Sequence, residues 1–156
     1  MILLTEATNN WTIDDDWLIA PAGVPWIKEG YRIRVGGNVY IEEDVRIGDG
    51  VHIGDGVMLT RAVTIGDGGT IDYAVYIGEG VTIGDRVDIG NWVEIGDRVE
   101  IGDGVIIGDR VAIGDGVTID DGVDIGKKAI IGDRAVIRCG AKVAKFTVIC
   151  QCEIVK

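Results

Sequence analysis

One histidine, three cysteines and a recurring Gly-Asp pair are the side chains in this chain whose types can do chemistry. His52 is a candidate general base, the role an imidazole plays in taking a proton from a hydroxyl or an amine. It sits in Val51-His52-Ile53-Gly54-Asp55-Gly56. Cys139, Cys150 and Cys152 are an odd, late cluster. Met1-Ile2-Leu3-Leu4 is too short for a signal h-region and has no basic residue before it. The cysteines therefore read as reduced thiols with a structural role in a cytoplasmic protein. Cys150-x-Cys152 alone is a weak metal or redox motif. Neither a Ser-centred nucleophile motif nor a helix-opening phosphate loop is present, so Gly-Asp reads as a turn rather than a cradle.

The element that positions all of these is a six-residue phrase. Cut in sixes from Ile33 to Cys152, the chain gives 20 hexads without insertion or deletion. The third position is aliphatic in all 20, the first is Val in 14, and the fourth is Gly in 13. Positions one and three are apolar and position two is mostly polar, which is strand alternation with one and three inward. Positions four to six, commonly Gly-Asp-Gly or Gly-Asp-Arg, form the bend. Glycine there allows dihedrals that a side chain would penalise, and Asp can bond its own turn. A fixed short period marks a solenoid. Hydrophobic residues make up 47% and aromatics only 6%, so the core is built of Ile and Val.

Ile53-Gly54-Asp55-Gly56-Val57-Met58 resembles the hexapeptide-repeat superfamily, as do most windows up to Gly126. The resemblance covers residues 33–152. It implies an all-β fold: a left-handed parallel β-helix, a triangular solenoid with 18 residues per coil and six to seven coils. Its handedness comes from the family, since parallel crossovers are otherwise right-handed. Near-identical hexads also fit a recently expanded or consensus-built repeat. Such a chain is prone to slip by whole repeats. The irregular hexads around Thr60-Arg61, Asp72-Tyr73 and Asn91-Trp92 are expected to pin its register, with Trp92 beside Arg110 as a cation–π pair.

An 18-residue coil stacks neighbours three hexads apart. One face then carries Arg34, His52, Thr70, Asp88, Ile106, Asp124 and Lys142. The second carries Tyr40, Met58, Tyr76, Glu94, Ala112, Ile130 and Val148, an apolar strip broken only by Glu94. Such a strip marks an interface, and the resemblance makes a homo-oligomer, above all a homotrimer, the expected partner state. The third face has Thr64, Thr82 and Thr118 but is interrupted by Glu100, too broken for a flat threonine array. One corner stacks Asp49, Asp67, Asp85, Asp103 and Asp121, read as turn aspartates rather than a cation site.

Residues 1–32 lie outside the frame and form the expected N-terminal cap on the 33–156 β-helix. They hold Trp11, Trp17 and Trp26 and both prolines. Asp14-Asp15-Asp16 separates two short strands, and bulky indoles suit the bare end of a solenoid core. The alternative is a binding module that displays those indoles.

Net charge is −11, which argues against a nucleic-acid partner. It is uneven: residues 127–156 carry 7 Lys or Arg against Asp133 and Glu153, about +5, and the rest sums to −16. The basic end suits solubility, or docking of an acidic partner such as another copy end to end. No apolar run approaches membrane-spanning length.

Relatives implied by the resemblance are acyltransferases that use coenzyme A or acyl-carrier protein, with a histidine base near a subunit boundary. Two features depart from that pattern. The frame has no extruded loop, and no carboxylate is stacked next to His52. One histidine also cannot supply the three-histidine metal site of the γ-class carbonic anhydrases that share the fold. The reading is a non-catalytic structural solenoid, self-associating through its apolar face, with no cofactor or metal. An acyltransferase relative, active or decayed, and the Trp-rich binding module are the alternatives.

Overall fold

A computed structural model describes residues 1–155; Lys156, counted above in the basic end, lies outside the described residues. The chain opens with strand β1 (Ile2–Leu3), a four-residue helix α1 (Leu4–Ala7), and strands β2 (Thr12–Asp14), β3 (Trp17–Ile19) and β4 (Arg32–Val35). Next come β5 (Tyr40–Ile41), β6 (Arg46–Ile47) and β7 (Val51–Ile53). The six-residue spacing then continues from β8 (Met58–Leu59) to β22 (Lys142–Val143), β23 (Val148–Ile149) and β24 (Ile154–Val155). Every third strand joins the same sheet, giving three parallel sheets that stack seven coils, as expected from the period. Among the described residues no helix is long and apolar enough to cross a membrane.

Alternation within each hexad decides which side chains fill the interior. In Val51-His52-Ile53 the outer two are fully buried and His52 is exposed. The interior is a stack of Ile on Ile and Val on Val. It narrows at the far end, where the first position becomes Ala129, Ala135 and Ala141, all buried. Each coil donates its N–H groups to the next, for example Gly54 N–H to the Ile71 carbonyl at 2.7 Å and Met58 N–H to Val75 at 2.9 Å. The lateral pairing matches the expected stacking: Arg34 pairs with His52, His52 with Thr70, and Thr70 with Asp88.

The corners correct the expected role of glycine. Left-handed backbone occurs at the sixth position of every hexad, and in 12 of the 20 that residue is not glycine, including Arg86, Trp92 and Phe146. This conformation turns the sixth N–H back onto the preceding coil: Trp92 N–H donates to the Tyr73 carbonyl at 2.9 Å, and Arg110 N–H to Asn91 at 2.8 Å. From Gly50 onward this corner hydrogen bond offsets the left-handed cost, about 1–2 kcal/mol per side chain.

Glycine is instead required at the fourth position by close approach. A Cβ at Gly84 would lie 2.7 Å from the Gly102 carbonyl carbon and 2.8 Å from the Asp103 nitrogen. It would also strike the Asp103 carboxylate, which does not bond its own turn as expected. That carboxylate reaches back one coil and accepts the Asp85 N–H at 2.8 Å. The same bond runs up each corner, as from Asp67 to Asp85 at 2.8 Å and from Asp97 to Asp115 at 2.9 Å. Nine aspartates sit in this way above a fourth-position glycine. Where the fourth residue has a side chain (Glu42, Thr60, Asp72 and Asp120), the position above is Arg61, Glu79, Asn91 or Cys139, never Asp. The irregular hexads are therefore matched pairs across coils. Trp92 belongs to one of them, but its ring partner is Tyr73, edge-on at 5.1 Å, rather than Arg110.

Residues 1–32 lie on the first coil. Strand β1 pairs antiparallel with β5, β3 pairs antiparallel with β4, and Ile27 bridges Ile47, so each of the three sheets receives one addition at this end. The β2–β3 hairpin turns at Asp15 and Asp16, both with positive φ, where short polar side chains tolerate the left-handed region. Leu4 is fully buried, and Trp11 stacks on Trp26 at 5.2 Å. Trp17 lies under Arg34, 4.4 Å from guanidinium to ring centre, and Arg34 also donates to the Asp15 carbonyl at 3.1 Å.

Two measurements check the corners. Gly84→Ala should lower stability by about 1–3 kcal/mol through overpacking, and Asp103→Ala by about 1 kcal/mol through the lost bond. In the double variant the carboxylate that obstructs the new methyl is gone, so urea melts should give a loss smaller than the sum. At the third corner, Asp109 is held below the usual carboxylate range, first by the Lys127 ammonium at 2.6 Å and then by Asn91. A depressed folded pKa contributes stability above the unfolded value of about 3.9 and loses it as pH falls through the folded one. Lys127→Met should raise the Asp109 midpoint in an NMR titration, lower stability near neutral pH and shrink the further loss on acidification, since the folded and unfolded midpoints then lie closer together.

Candidate functional site

Strand β7 holds His52 in the middle of one flat sheet face, pointing outward between Arg34 and Thr70. Asp88 is the nearest carboxylate along that column, one coil beyond Thr70. Among the described residues the imidazole has no hydrogen-bond or ion-pair partner. A general base needs a partner that orients its ring and a concave place for the acceptor. A single prism supplies His52 with neither, so catalysis there would need a surface from another copy.

The second face has a different character. The pairing sets Tyr40 beside Met58, Met58 beside Tyr76, Tyr76 beside Glu94, Glu94 beside Ala112, Ala112 beside Ile130 and Ile130 beside Val148. Tyr40, Met58 and Ala112 are half-buried by their neighbours, whereas Tyr76 is 42% exposed, Ile130 51% and Val148 64%. Small Ala112 between Glu94 and Ile130 leaves a groove of about 390 Å3 that reaches from Tyr76 to Ile130, with Glu94 within the column and Asp133 in its lining. The groove has mostly apolar walls and little polar chemistry inside it. That suits an inserted side chain better than a polar substrate.

The remaining candidates are structural in their contacts. Trp26 is only 6% exposed, Trp11 stacks on it, and Trp17 is covered by Arg34. The indoles of the Trp-rich segment are therefore turned to packing. A groove of about 490 Å3 lies beside them, lined by Pro25, Trp26, Lys28, Tyr31 and Arg46. The column from Asp49 to Asp121 is tied to backbone N–H groups. Cys139, Cys150 and Cys152 are exposed and unpaired. Among the described residues no group of three His, Cys, Asp or Glu side chains could hold a metal ion.

The model of the bacterial transferase hexapeptide (six repeats) matches residues 74–109. No curated protein sequence matches the chain. The structure is similar to a mutant of AntD, an N-acyltransferase from Bacillus cereus in complex with dTDP and coenzyme A. The TM-score is 0.65 at 18% identity, covering 70% of this chain and 73% of that one. It is also similar to a hexapeptide transferase family protein from Anaplasma phagocytophilum, with a TM-score of 0.49 at 20% identity, covering 80% of this chain and 74% of that one. At these identities the likeness is one of fold. The hexads in frame, the three stacked sheets and the match over residues 74–109 make this chain a hexapeptide-repeat β-solenoid.

Proposed function

We propose that the chain is a rigid, non-catalytic scaffold whose prisms associate side by side through the second face, as a homotrimer. The observation that carries this reading is the groove between Tyr76 and Ile130, an apolar strip on a chain of net charge −11. Burying the exposed part of Ile130 and Tyr76 in a neighbour removes apolar area from water, worth about 25 cal/mol per Å2. Residues 1–32 act as the cap that closes the rod at one end. A reducing, cytoplasmic setting fits the three exposed free thiols.

A second reading, acyl transfer from coenzyme A or acyl-carrier protein to a hydroxyl or amine, is favoured by the transferase-type match over residues 74–109. In that case His52 is the base, and the neighbouring copy supplies the wall and the carboxylate it lacks.

Sedimentation equilibrium at high salt tests the first reading. Wild type should form one closed oligomer, and Ile130→Lys should dissociate it at least about tenfold more readily, since a buried ammonium is costly. A monomer at every concentration would refute it. Assay of acyl-coenzyme A with hydroxyl and amine acceptors tests the second. Turnover lost in His52→Asn with unchanged circular dichroism supports it, and turnover absent in wild type or retained in the variant removes it.

A further inference from the structure

The two ends of the rod differ in a way the apolar face does not explain. The nine-stranded sheet begins with β2 and ends with β22, and each has a strand on one side only among the described residues. Open edges are pairing templates. Strand β2 is antiparallel to β3, and β3 is antiparallel to β4, so β2 runs in the same direction as the repeat strands, β22 included. If a second rod is set coaxially on the first, its β2 meets β22 in the parallel sense used by every other pair in the repeat.

Side chains on these two strands are also in phase. Ile13 pairs with Leu18, and Leu18 with fully buried Ile33, so Ile13 stands in a core column although it is 69% exposed. Ala141, buried just before Lys142 of β22, ends that same core column at the other end, and Val143 ends the neighbouring one. Asp14 pairs with Trp17 on the outer side, the side on which β22 carries Lys142. Charge is complementary as well. Residues 1–32 hold Lys28 and Arg32 against five carboxylates, three of them Asp14-Asp15-Asp16, while Lys142 and Lys145 stand at the opposite end.

We propose that this chain docks head to tail with a second copy of itself, β2 of one rod adding to β22 of the next. Ile13 covers the core end at Ala141, and Asp14 lies beside Lys142. Like charges oppose the two alternatives: two heads bring six aspartates together, and two tails bring the lysines together. The contact is heterologous and does not close, so it yields open-ended filaments rather than a fixed oligomer. It uses a different surface from the side-by-side association and does not depend on it.

The test is length against concentration for the whole chain, by sedimentation velocity and electron microscopy, at about 20 mM and about 500 mM salt. Species that lengthen with concentration are expected at low salt, with about tenfold weaker growth at high salt. Asp14→Lys and Lys142→Glu should each abolish lengthening with unchanged circular dichroism, and the variant carrying both should recover it. Ile130→Lys should leave lengthening intact, which separates this contact from the apolar face. A single species of fixed size at all concentrations would overturn the proposal. So would lengthening that both charge reversals leave untouched, or a double variant that fails to recover it.

Discussion

Everything in this structure depends on how closely one coil approaches the next at its corners. Parallel strands stack about 4.8 Å apart, and the corner must keep that spacing without a strand's full ladder of bonds. It does so with three groups in register: a fourth residue without a side chain, a carboxylate above it, and a left-handed sixth residue that returns its N–H to the coil below. The Gly84, Asp85 and Asp103 set is one instance. A missing side chain makes the space, and the aspartate occupies it with a hydrogen bond. A column such as Asp49, Asp67, Asp85 and Asp103 therefore stacks like charges, each compensated by a backbone donor.

The same rule gives the repeat a means of holding register. Apolar positions one and three alone tolerate a slip by a whole hexad, because Val and Ile recur everywhere. The corner pairs are less uniform. A slip that carries an aspartate over Thr60 or Asp72 drives a carboxylate into a side chain, and one that separates Arg61 from Glu79 loses an ion pair at 3.4 Å. Tyr73 over Asn91, with Trp92 edge-on, is a third local match. Departures from consensus that look like noise along the chain are complementary across 18 residues.

Polarity follows from the ends. At the first coil all three sheets receive an extra segment, and Leu4 and Trp26 are buried over the core. At the last coil the strands end open, and Phe146, Val148 and Ile154 are exposed among lysines. Lys128 and Lys145 lie against the Phe146 ring at 5.2 and 6.0 Å. Acidic and basic ends on one rod make its two tips chemically distinct, while its long faces differ by apolar content. The rod thus has chemically unlike tips and one mostly apolar long face, and His52 lies on another of its faces.

Sequence by itself determined the strands, the inward residues, the three columns of outward residues and the β2–β3 hairpin around Asp14-Asp15-Asp16. These depend on a strict period of six with alternation inside it, and a period is a local property that needs no partner to be read. Tertiary structure alone decided where the corner carboxylates point, that the sixth position is left-handed for Arg86 and Trp92 as much as for glycine, and that Trp92 meets Tyr73 rather than Arg110. It also decided that Trp26 is buried under Trp11 while Trp17 lies on the outer side beneath Arg34, and that β2 and β22 are the two rims of one sheet. Those outcomes are set by contacts across coils, where the distance between atoms 18 residues apart selects among partners that the sequence leaves equally available.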